Sequence, residues 1–348
     1  MKNISKMLAV GMAGAFAAVS PLESDACTRV IYEGSDSLYI VGRSLDWRTP
    51  IPTNLYVYPA GISKQGASTP DGINWTSRYG AVYAVGYDGG ITEGMNEKGL
   101  SVNGLFCKGT VYVNDKVEKN PPVSLAMIVA WILDNCATTD EARQLLTETP
   151  FRVEGATFDG GTVSTLHWGI TDASGKSLIL EFDEGNMEIH DPGDIRAMTN
   201  DPQWESMKAI LAYWDKIGGK NMLPGTVTSP DRCVRANYFA HHVKPESDAR
   251  LGVSIARSVL VNSCVPYTYT VEGEPNLSST QWRSYSNLRD RLYYFDIVTN
   301  PAYYYIDLKK CDLSRKGKIL KLDTGKNTDL VGDVTNRMEV SKGFTPMY

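Results

Sequence analysis

The sequence predicts an α+β fold in which sheets and helices form separate layers. Short β-branched and aromatic runs broken by glycines follow Cys27, and strand-like runs return near the carboxyl end. Helical patterns are grouped between these two regions and do not alternate with single strands. This grouping favours α+β layers over a doubly wound parallel sheet.

Composition narrows the classes of partner. The 348 residues carry a formal net charge of −5, and no run of lysine or arginine interrupts them. Nucleic-acid and membrane surfaces are usually bound through basic patches. We therefore expect neither partner, and a small molecule is the better candidate.

Residues 1–26 have the pattern of a secretory signal peptide. Lys2 and Lys6 form a positive start, residues 7–19 are apolar, and small residues at positions 24 and 26 mark a cleavage site before Cys27. We expect a periplasmic or secreted protein whose single domain spans residues 27–348. A lipoprotein reading is weaker, because Ser24 and Asp25 stand where such signals carry small and apolar residues.

Cys27 becomes the first residue of the mature chain if cleavage falls there. It then carries a thiol and a free α-amino group, whose ordinary pKa is about 7.7 to 8. That amine can act as the general base for its own thiol, so no histidine is needed. The alternative is a small buried cysteine near the start of a strand.

The stretch VGRSLDW places Arg43 and Asp46 on the strand that follows Cys27. The EGSDS segment has the residues of a hairpin turn, so residues 28–33 and 38–43 are predicted to pair. Arg43 would then stabilise a Cys27 thiolate, and Asp46 would hold the amine. A surface ion pair explains the same two residues equally well.

Helices are predicted in the middle of the chain. Residues 123–136 are apolar over a helical length, and Thr138 and Glu141 have the spacing of a capping box for the next helix. Three further helical patterns cover PQWESMKAILAYWDKIG, DRCVRANYFAHHV and LGVSIARSVLVNS. The segments SYSNLRDRLYYFD and NPAYYYIDLKK read as closing strands.

Metal and cofactor signals are lacking in the sequence. The other five cysteines and the four histidines show no spacing typical of a metal site, so no metal or cofactor is expected. Disulfides are permitted by export but not required. By pattern alone, Asn200 in MTNDP reads as a turn residue and Arg232 in SPDRCVR as a solvated residue near a helix start.

Six motifs in order resemble the choloylglycine hydrolase family, which comprises bile salt hydrolases and penicillin V acylases. They are CTRVIY, VGRSLDW, EGMNEKGLSVNGL, LHWGITDASGKSLILEF, MTNDP and DRCVRANY. The resemblance covers essentially all the chain after residue 26 and is closest to exported Gram-negative members. It implies the N-terminal nucleophile hydrolase fold, an αββα four-layer sandwich.

The resemblance also implies roles for five side chains. Cys27 resembles the nucleophile, Arg43 the arginine beside its sulfur, and Asp46 the carboxylate that contacts the α-amino group. Asn200 resembles the oxyanion-hole side chain, and Arg232 a further active-site arginine. On this basis the chain is expected to hydrolyse linear amide C–N bonds without a cofactor.

The sequence departs from the family pattern at two places. Phe106 stands where bile salt hydrolases have an asparagine, although penicillin V acylases often have an aromatic residue there. Its backbone N–H is the second expected oxyanion donor. Many Gram-positive members of the family carry a longer insertion between the positions of Asn200 and Arg232, which helps to assemble a tetramer. The interval is short in this chain, so a homotetramer stays open but is less expected.

The substrate class stays open at this point. Conjugated bile salts, penicillin V and N-acyl homoserine lactones are the candidate amides, and a secreted binding protein without catalysis is the alternative. An apolar acyl group needs an apolar wall, for which aromatic side chains are the candidates. They are Trp47, Tyr87, Phe106 and Trp168.

Overall fold

The computed structural model describes residues 26–158, 162–272 and 278–348. The predicted signal peptide lies outside the described residues, apart from Ala26. No helix in the described ranges has the length and apolar character needed to cross a bilayer.

The strands are β1 (Thr28–Glu33), β2 (Tyr39–Trp47), β3 (Thr53–Tyr58), β4 (Ser63–Gln65), β5 (Asn74–Thr76), β6 (Ala81–Gly86), β7 (Gly90–Asn96), β8 (Ser101–Phe106), β9 (Pro122–Ser124), β10 (Arg152–Glu154), β11 (Thr157–Phe158), β12 (Thr162–Val163), β13 (Leu166–Thr171), β14 (Ser177–Asp183), β15 (Asn186–His190), β16 (Ala197–Met198), β17 (Ser279–Asn287), β18 (Leu292–Ile297), β19 (Tyr304–Asp307), β20 (Leu320–Leu322), β21 (Gly332–Asp333) and β22 (Glu339–Val340). The helices are α1 (Ile128–Asn135), α2 (Thr139–Glu148), α3 (Trp204–Ile217), α4 (Ser229–His242) and α5 (Ala249–Val261).

Two large sheets contain most of these strands. Within the described ranges, the first sheet has seven strands in the order β16-β1-β2-β17-β18-β19-β21, and the second has nine in the order β15-β14-β13-β8-β7-β6-β3-β20-β22. Most neighbouring pairs in both sheets are antiparallel. The strand β1, just after Cys27, therefore meets β16, just before Asn200, in one sheet.

Both sheets are buried on both faces. On β1, Ile31 faces the core between the sheets, while Val30 and Tyr32 face the helices α3 to α5. On β6, Val82 faces the core between the sheets and Tyr83 faces α1. Successive side chains of a strand point to opposite faces, so each sheet contributes to two cores.

The four layers follow from this burial. Helices α4 and α5 pack on β1 of the first sheet, and α1 packs on β6, β7 and β8 of the second. The order is helices, sheet, sheet, helices, so the predicted α+β class and αββα sandwich are confirmed. The facing inner surfaces of the sheets form the third core.

One predicted helix begins later than expected. Residues 122–124 form β9, which pairs in parallel with β10, and α1 begins only at Ile128. An apolar run of this length does not by itself distinguish a buried strand from a helix. At the start of α2, Thr138 Oγ1 accepts a hydrogen bond from Glu141 N at 3.2 Å, as the capping pattern predicts.

Candidate active site

Cys27 lies at the start of β1, between the two sheets. Its side chain is nearly buried and packs with Leu105 of the second sheet and Met198 at the edge of the first. The strands β1 and β2 pair with Thr28 opposite Ser44 and Arg29 opposite Arg43. The predicted hairpin is confirmed, and it returns β2 alongside the cysteine.

Arg43 is the cation beside the thiol. Its Nη2 lies 3.7 Å from Cys27 Sγ and donates to Gly104 O at 2.9 Å. Arg43 Nε lies 3.4 Å from Glu93 Oε2, and the guanidinium carbon lies 4.6 Å from the ring centroid of Trp282. The arginine is thus fixed between both sheets and aimed at the sulfur.

Asn200 and Arg232 meet at the backbone of Cys27. Asn200 Oδ1 accepts from Cys27 N at 2.6 Å and from Arg232 Nη2 at 2.8 Å. Arg232 Nη1 donates to Cys27 O and to Thr28 Oγ1, both at 2.6 Å. Because the arginine holds the amide oxygen, the NH2 group of Asn200 is turned the other way.

That NH2 group points at the end of β8. Asn200 Nδ2 donates to Phe106 O at 2.8 Å, which uses one of its two hydrogens. Cys107 N donates to Thr165 O, so in an antiparallel ladder the N–H and C=O of Phe106 point away from β13. The Phe106 N–H and the second Asn200 hydrogen therefore lie on the same side of the strand.

Asp46 is a fully buried carboxylate in the same cavity as Cys27. Burial raises its pKa to about 6, although Arg232, Thr280, Arg43 and Ser44 oppose that shift. Ser44 Oγ donates to Asp46 Oδ2 at 3.4 Å. Asp46 Oδ1 has no hydrogen-bond partner among the described residues, which leaves a buried acceptor free for a donor.

An apolar cavity opens over the cysteine. It encloses about 710 Å³, including its open mouth, and Trp47, Tyr87 and Phe106 line it with Leu45 and Ile51. The rings of Trp47 and Phe106 pack edge to face, with centroids 5.8 Å apart. Three of the four aromatic residues predicted for the acyl wall are therefore on its surface.

The fourth aromatic residue, Trp168, does not line this cavity, which corrects the prediction. Its side chain is fully buried in the core under α1, where it packs against Tyr112 and Phe182. Strand residues alternate between faces, and Trp168 occupies the face of β13 that is turned away from Cys27.

Glu93 was not predicted as a site residue, although it lies in the motif EGMNEKGLSVNGL. A glutamate inside an apolar strand was the available signal, because a fully buried carboxylate needs partners. Its partners are Arg43, the Ser284 hydroxyl and the Tyr293 hydroxyl, the last at 2.6 Å from Oε1. All three lie on strands that are distant from Glu93 in the chain.

Neither metal ligands nor disulfides occur at the site within the described ranges. No three acidic, histidine or cysteine side chains there are grouped closely enough to hold a metal ion. Each of the six cysteines is free. The chemistry available to the described side chains is that of a thiol, a guanidinium, a carboxylate and amide donors.

Comparison with known proteins agrees with this geometry. The family model for linear amide C–N hydrolases of the choloylglycine hydrolase family matches residues 27–329. The chain belongs to the choloylglycine hydrolase family. As a member, it is a hydrolase of linear amide C–N bonds, and the resemblance seen in its motifs is confirmed. The match begins at Cys27.

The curated proteins similar to this choloylglycine hydrolase family member include enzymes whose names state an activity. Penicillin V acylase of Pectobacterium atrosepticum is 35% identical over 329 residues, covering 88% of this chain and 87% of that enzyme. Bile salt hydrolase/transferase of Clostridium perfringens is 25% identical over 315 residues, covering 82% of this chain and 94% of that protein.

Solved structures show the same architecture. Penicillin V acylase from Agrobacterium tumefaciens superposes with a TM-score of 0.84 at 37% identity, covering 92% of this chain and 99% of that one. A variant of conjugated bile acid hydrolase from Clostridium perfringens has a TM-score of 0.74 at 22% identity, covering 87% and 98%. The fold is thus that of the N-terminal nucleophile hydrolases, as predicted.

Proposed function

We propose that this chain is an exported acylase that uses Cys27 as an N-terminal nucleophile and prefers penicillin V-type amides. One observation supports this most directly. The Cys27 thiol lies at an apolar, aromatic-lined cavity, with Arg43 Nη2 3.7 Å from its sulfur. The relatives named penicillin V acylase share more of the sequence than the bile salt hydrolase does.

In the first step, the Cys27 sulfur attacks the amide carbonyl carbon, and the α-amino group of the same residue takes the thiol proton. A carbon–sulfur bond forms while the carbonyl oxygen becomes an oxyanion. We assign the second hydrogen of Asn200 Nδ2 and the N–H of Phe106 as the donors that stabilise it, and the contact of Asn200 Nδ2 with Phe106 O supports this assignment. No further base is required.

In the second step, the tetrahedral intermediate collapses and the carbon–nitrogen bond breaks. The leaving nitrogen takes the proton from the α-ammonium group, and the acyl group stays on sulfur as a thioester. Water then attacks the thioester carbonyl carbon and gives its proton to the amine. The carbon–sulfur bond then breaks, the acid leaves, and the sulfur takes the proton from the α-ammonium group, which restores the Cys27 thiol and the free amine.

The mechanism requires that residues 1–26 be removed. In the uncut chain, Ala26 is buried and the nitrogen of Cys27 is a peptide nitrogen, which is not a base. Removal would expose an amine that Asn200 Oδ1, now 2.6 Å from that nitrogen, can orient. Asp46 Oδ1, which has no hydrogen-bond partner in the described part of the chain, is an acceptor available to the ammonium form. Export through a cleaved signal peptide is part of this proposal.

A comparison of two chains that differ by one residue tests the role of the amine. One starts at Cys27 and the other at Ala26. We expect the first to release amine from penicillin V and the second to be inactive although folded. Equal activity in both would exclude the amine as base. Mass spectrometry of the exported protein should show a start at Cys27, and a start at Thr28 would contradict the proposal.

The nucleophile is tested by Cys27→Ser with Cys311→Ser as the matched control. Cys311 is half-buried and lies outside the cavity. We expect Cys27→Ser to abolish turnover and Cys311→Ser to retain it. Unchanged hydrolysis by Cys27→Ser would exclude Cys27 as the nucleophile. A protein that only binds ligand would show no turnover in either form.

The preference for penicillin V-type amides is tested with a panel of substrates. Amine release should be measured with penicillin V, with glycine- and taurine-conjugated bile salts, and with N-acyl homoserine lactones. We expect the highest kcat/KM for penicillin V, because an aryl group matches a wall of Trp47, Tyr87 and Phe106. A higher kcat/KM for a lactone or a bile salt would contradict the preference for penicillin V, but it would not contradict the role of Cys27 as nucleophile.

A further inference from the structure

His167 is a buried histidine that the proposed mechanism does not use. It lies on β13, one residue before the pair formed by Trp168 and Leu180, and therefore faces Glu181 of β14. His167 Nδ1 lies 2.8 Å from Glu181 Oε1, and Nε2 lies 2.7 Å from the carbonyl oxygen of Thr199. Both ring nitrogens are thus in hydrogen-bond contact.

These contacts determine the protonation of the ring. A backbone carbonyl only accepts hydrogen bonds, so His167 Nε2 must carry a hydrogen. Nδ1 faces a carboxylate oxygen, and the other oxygen of Glu181 accepts from Trp204 N at 2.9 Å. A carboxylate that accepts on both oxygens favours its ionised form. The arrangement is that of an imidazolium paired with a carboxylate.

The surrounding titratable groups agree with a cationic ring. They are Cys107 just after β8, Asp201, which follows Asn200 and whose Oδ1 lies 3.8 Å from Cys107 Sγ, and His190 of β15, whose Nε2 lies 3.5 Å from Glu181 Oε2. Burial lowers the pKa of His167, but contacts with Cys107 and Glu181 outweigh burial and raise it to about 10. Burial raises the pKa of Glu181, and its bonds to both histidines bring it to about 2.

The carbonyl that His167 holds belongs to the residue before Asn200. On the other side of Asn200, the Asp201 carboxylate accepts from Lys108 N at 3.0 Å and from Gly109 N at 3.1 Å. The peptide that carries Asn200 is therefore hydrogen-bonded on one side to His167 of β13 and on the other to the loop after Phe106. Both sets of partners belong to the second sheet or its loops, whereas β16, which precedes Asn200, belongs to the first sheet.

We propose that His167 is a positioning residue, which holds the Thr199 carbonyl and thereby places the Asn200 amide to stabilise the oxyanion. The inference rests on the proposed function, since it needs Asn200 to act as an oxyanion donor. A donor displaced by about 1 Å can cost about a hundredfold in rate. Losing the hydrogen bond between His167 and the Thr199 carbonyl should therefore lower kcat and leave KM nearly unchanged.

Two substitutions separate positioning from packing. His167→Leu removes both donors, and His167→Gln keeps an amide N–H that can reach the Thr199 carbonyl. We expect kcat for penicillin V to fall about ten- to a hundredfold in the leucine variant, with part of it recovered in the glutamine variant. His242→Gln, on the exposed end of α4, is the control and should match the parent enzyme.

A second measurement does not depend on a variant. With histidines labelled by ¹⁵N, NMR at pH 8 should show both His167 nitrogens protonated, and assignment is simple because the chain has four histidines. A ring whose Nε2 carries no hydrogen at pH 8 would overturn the inference, because it could not donate to the Thr199 carbonyl. So would kcat equal to that of the parent enzyme in folded His167→Leu, because a purely structural role lowers only thermal stability.

The two proposals can fail separately. If Cys27→Ser is inactive while His167→Leu has a normal kcat, only the positioning role is wrong. If Cys27→Ser is fully active, the proposed function is wrong whatever the histidine variants show.

Discussion

Glu93 Oε2 lies 3.4 Å from Nε of the Arg43 guanidinium, whose Nη2 lies 3.7 Å from the Cys27 sulfur. The two residues belong to different sheets, β7 and β2, and both are almost completely buried. The pair joins the inner faces of the sandwich at the active site. It explains how a buried arginine beside a thiol keeps a counter-charge without exposure to water.

Glu93→Gln should therefore be costly. The substitution keeps the shape but leaves the Arg43 charge unpaired in the interior, so we expect a loss of about 3 to 5 kcal/mol in the free energy of unfolding. Urea denaturation measures this. Glu205→Gln, on the exposed surface of α3, is the control and should change stability by less than about 1 kcal/mol. Equal effects in both variants would show that the buried pair is unimportant.

Asn200→Asp tests the side-chain oxyanion donor. The carboxylate can still accept from Arg232, as Asn200 Oδ1 does now, but it cannot donate. Loss of one oxyanion donor lowers kcat by about a hundred- to a thousandfold. Steady-state kinetics should show that fall with a smaller change in KM. Asn135→Asp at the end of α1 serves as the comparison, and a normal kcat in Asn200→Asp would exclude the donor role.

Asp88 should control the shape of the apolar cavity over Cys27. Tyr87 and Asp88 both adopt positive φ, at 54° and 50°, in the turn between β6 and β7, and Tyr87 lines the cavity. Asp88 holds this turn through Lys321 Nζ at 2.7 Å, Asn54 Nδ2 at 2.8 Å and Tyr56 OH at 3.0 Å.

In Asp88→Ala these three bonds are lost, and the strained turn can relax. We expect KM for penicillin V to rise about tenfold, equivalent to about 1.4 kcal/mol of binding, with a smaller effect on kcat. Asp312→Ala, in an exposed loop, is the matched variant. An unchanged KM in Asp88→Ala would show that the turn keeps its shape without the carboxylate.

Stability should depend on pH through His167 and Glu181. The pKa of His167 is raised from 6.5 to about 10 on folding, so its contribution is complete below pH 6.5 and is lost as pH rises through 10. The pKa of Glu181 is lowered from 4.5 to about 2, so its contribution is complete above pH 4.5 and is lost as pH falls through 2.

The wild-type free energy of unfolding should therefore decrease between pH 6.5 and pH 10, and this slope should be smaller in His167→Gln. Urea denaturation at pH 6, 8 and 9.5 measures the difference. Parallel curves for the two proteins would contradict the ion pair. His242→Gln should follow the wild type, because its ring stacks on Tyr238 at the surface and has no carboxylate partner among the described residues.

Much of the fold could be predicted from local patterns. Apolar periodicity predicted α3, α4 and α5, and turn residues predicted the β1–β2 hairpin that brings Arg43 to Cys27. These features depend on residues close together in the chain. The start of α1 could not be predicted, because β9 depends on pairing with residues about thirty positions later.

Asn200 and Arg232 show the limit of local reasoning. By pattern they read as a turn residue and a solvated residue near a helix start, and only the family resemblance selected them. In the structure Arg232 is completely buried, and it contacts Cys27 and Asn200, which lie 205 and 32 positions away. No local pattern reports contacts over such separations.

The sequence by itself determined that Cys27 follows a signal-like segment, that Arg43 returns beside it, and that the chain resembles amide hydrolases. Only the tertiary structure decided that Glu93 neutralises Arg43, that His167 holds the residue before Asn200, and that Trp168 faces away from the cavity. The physical reason is burial. A charge or a polar atom inside a sandwich needs a partner, and the packing of two sheets determines which distant residue supplies it.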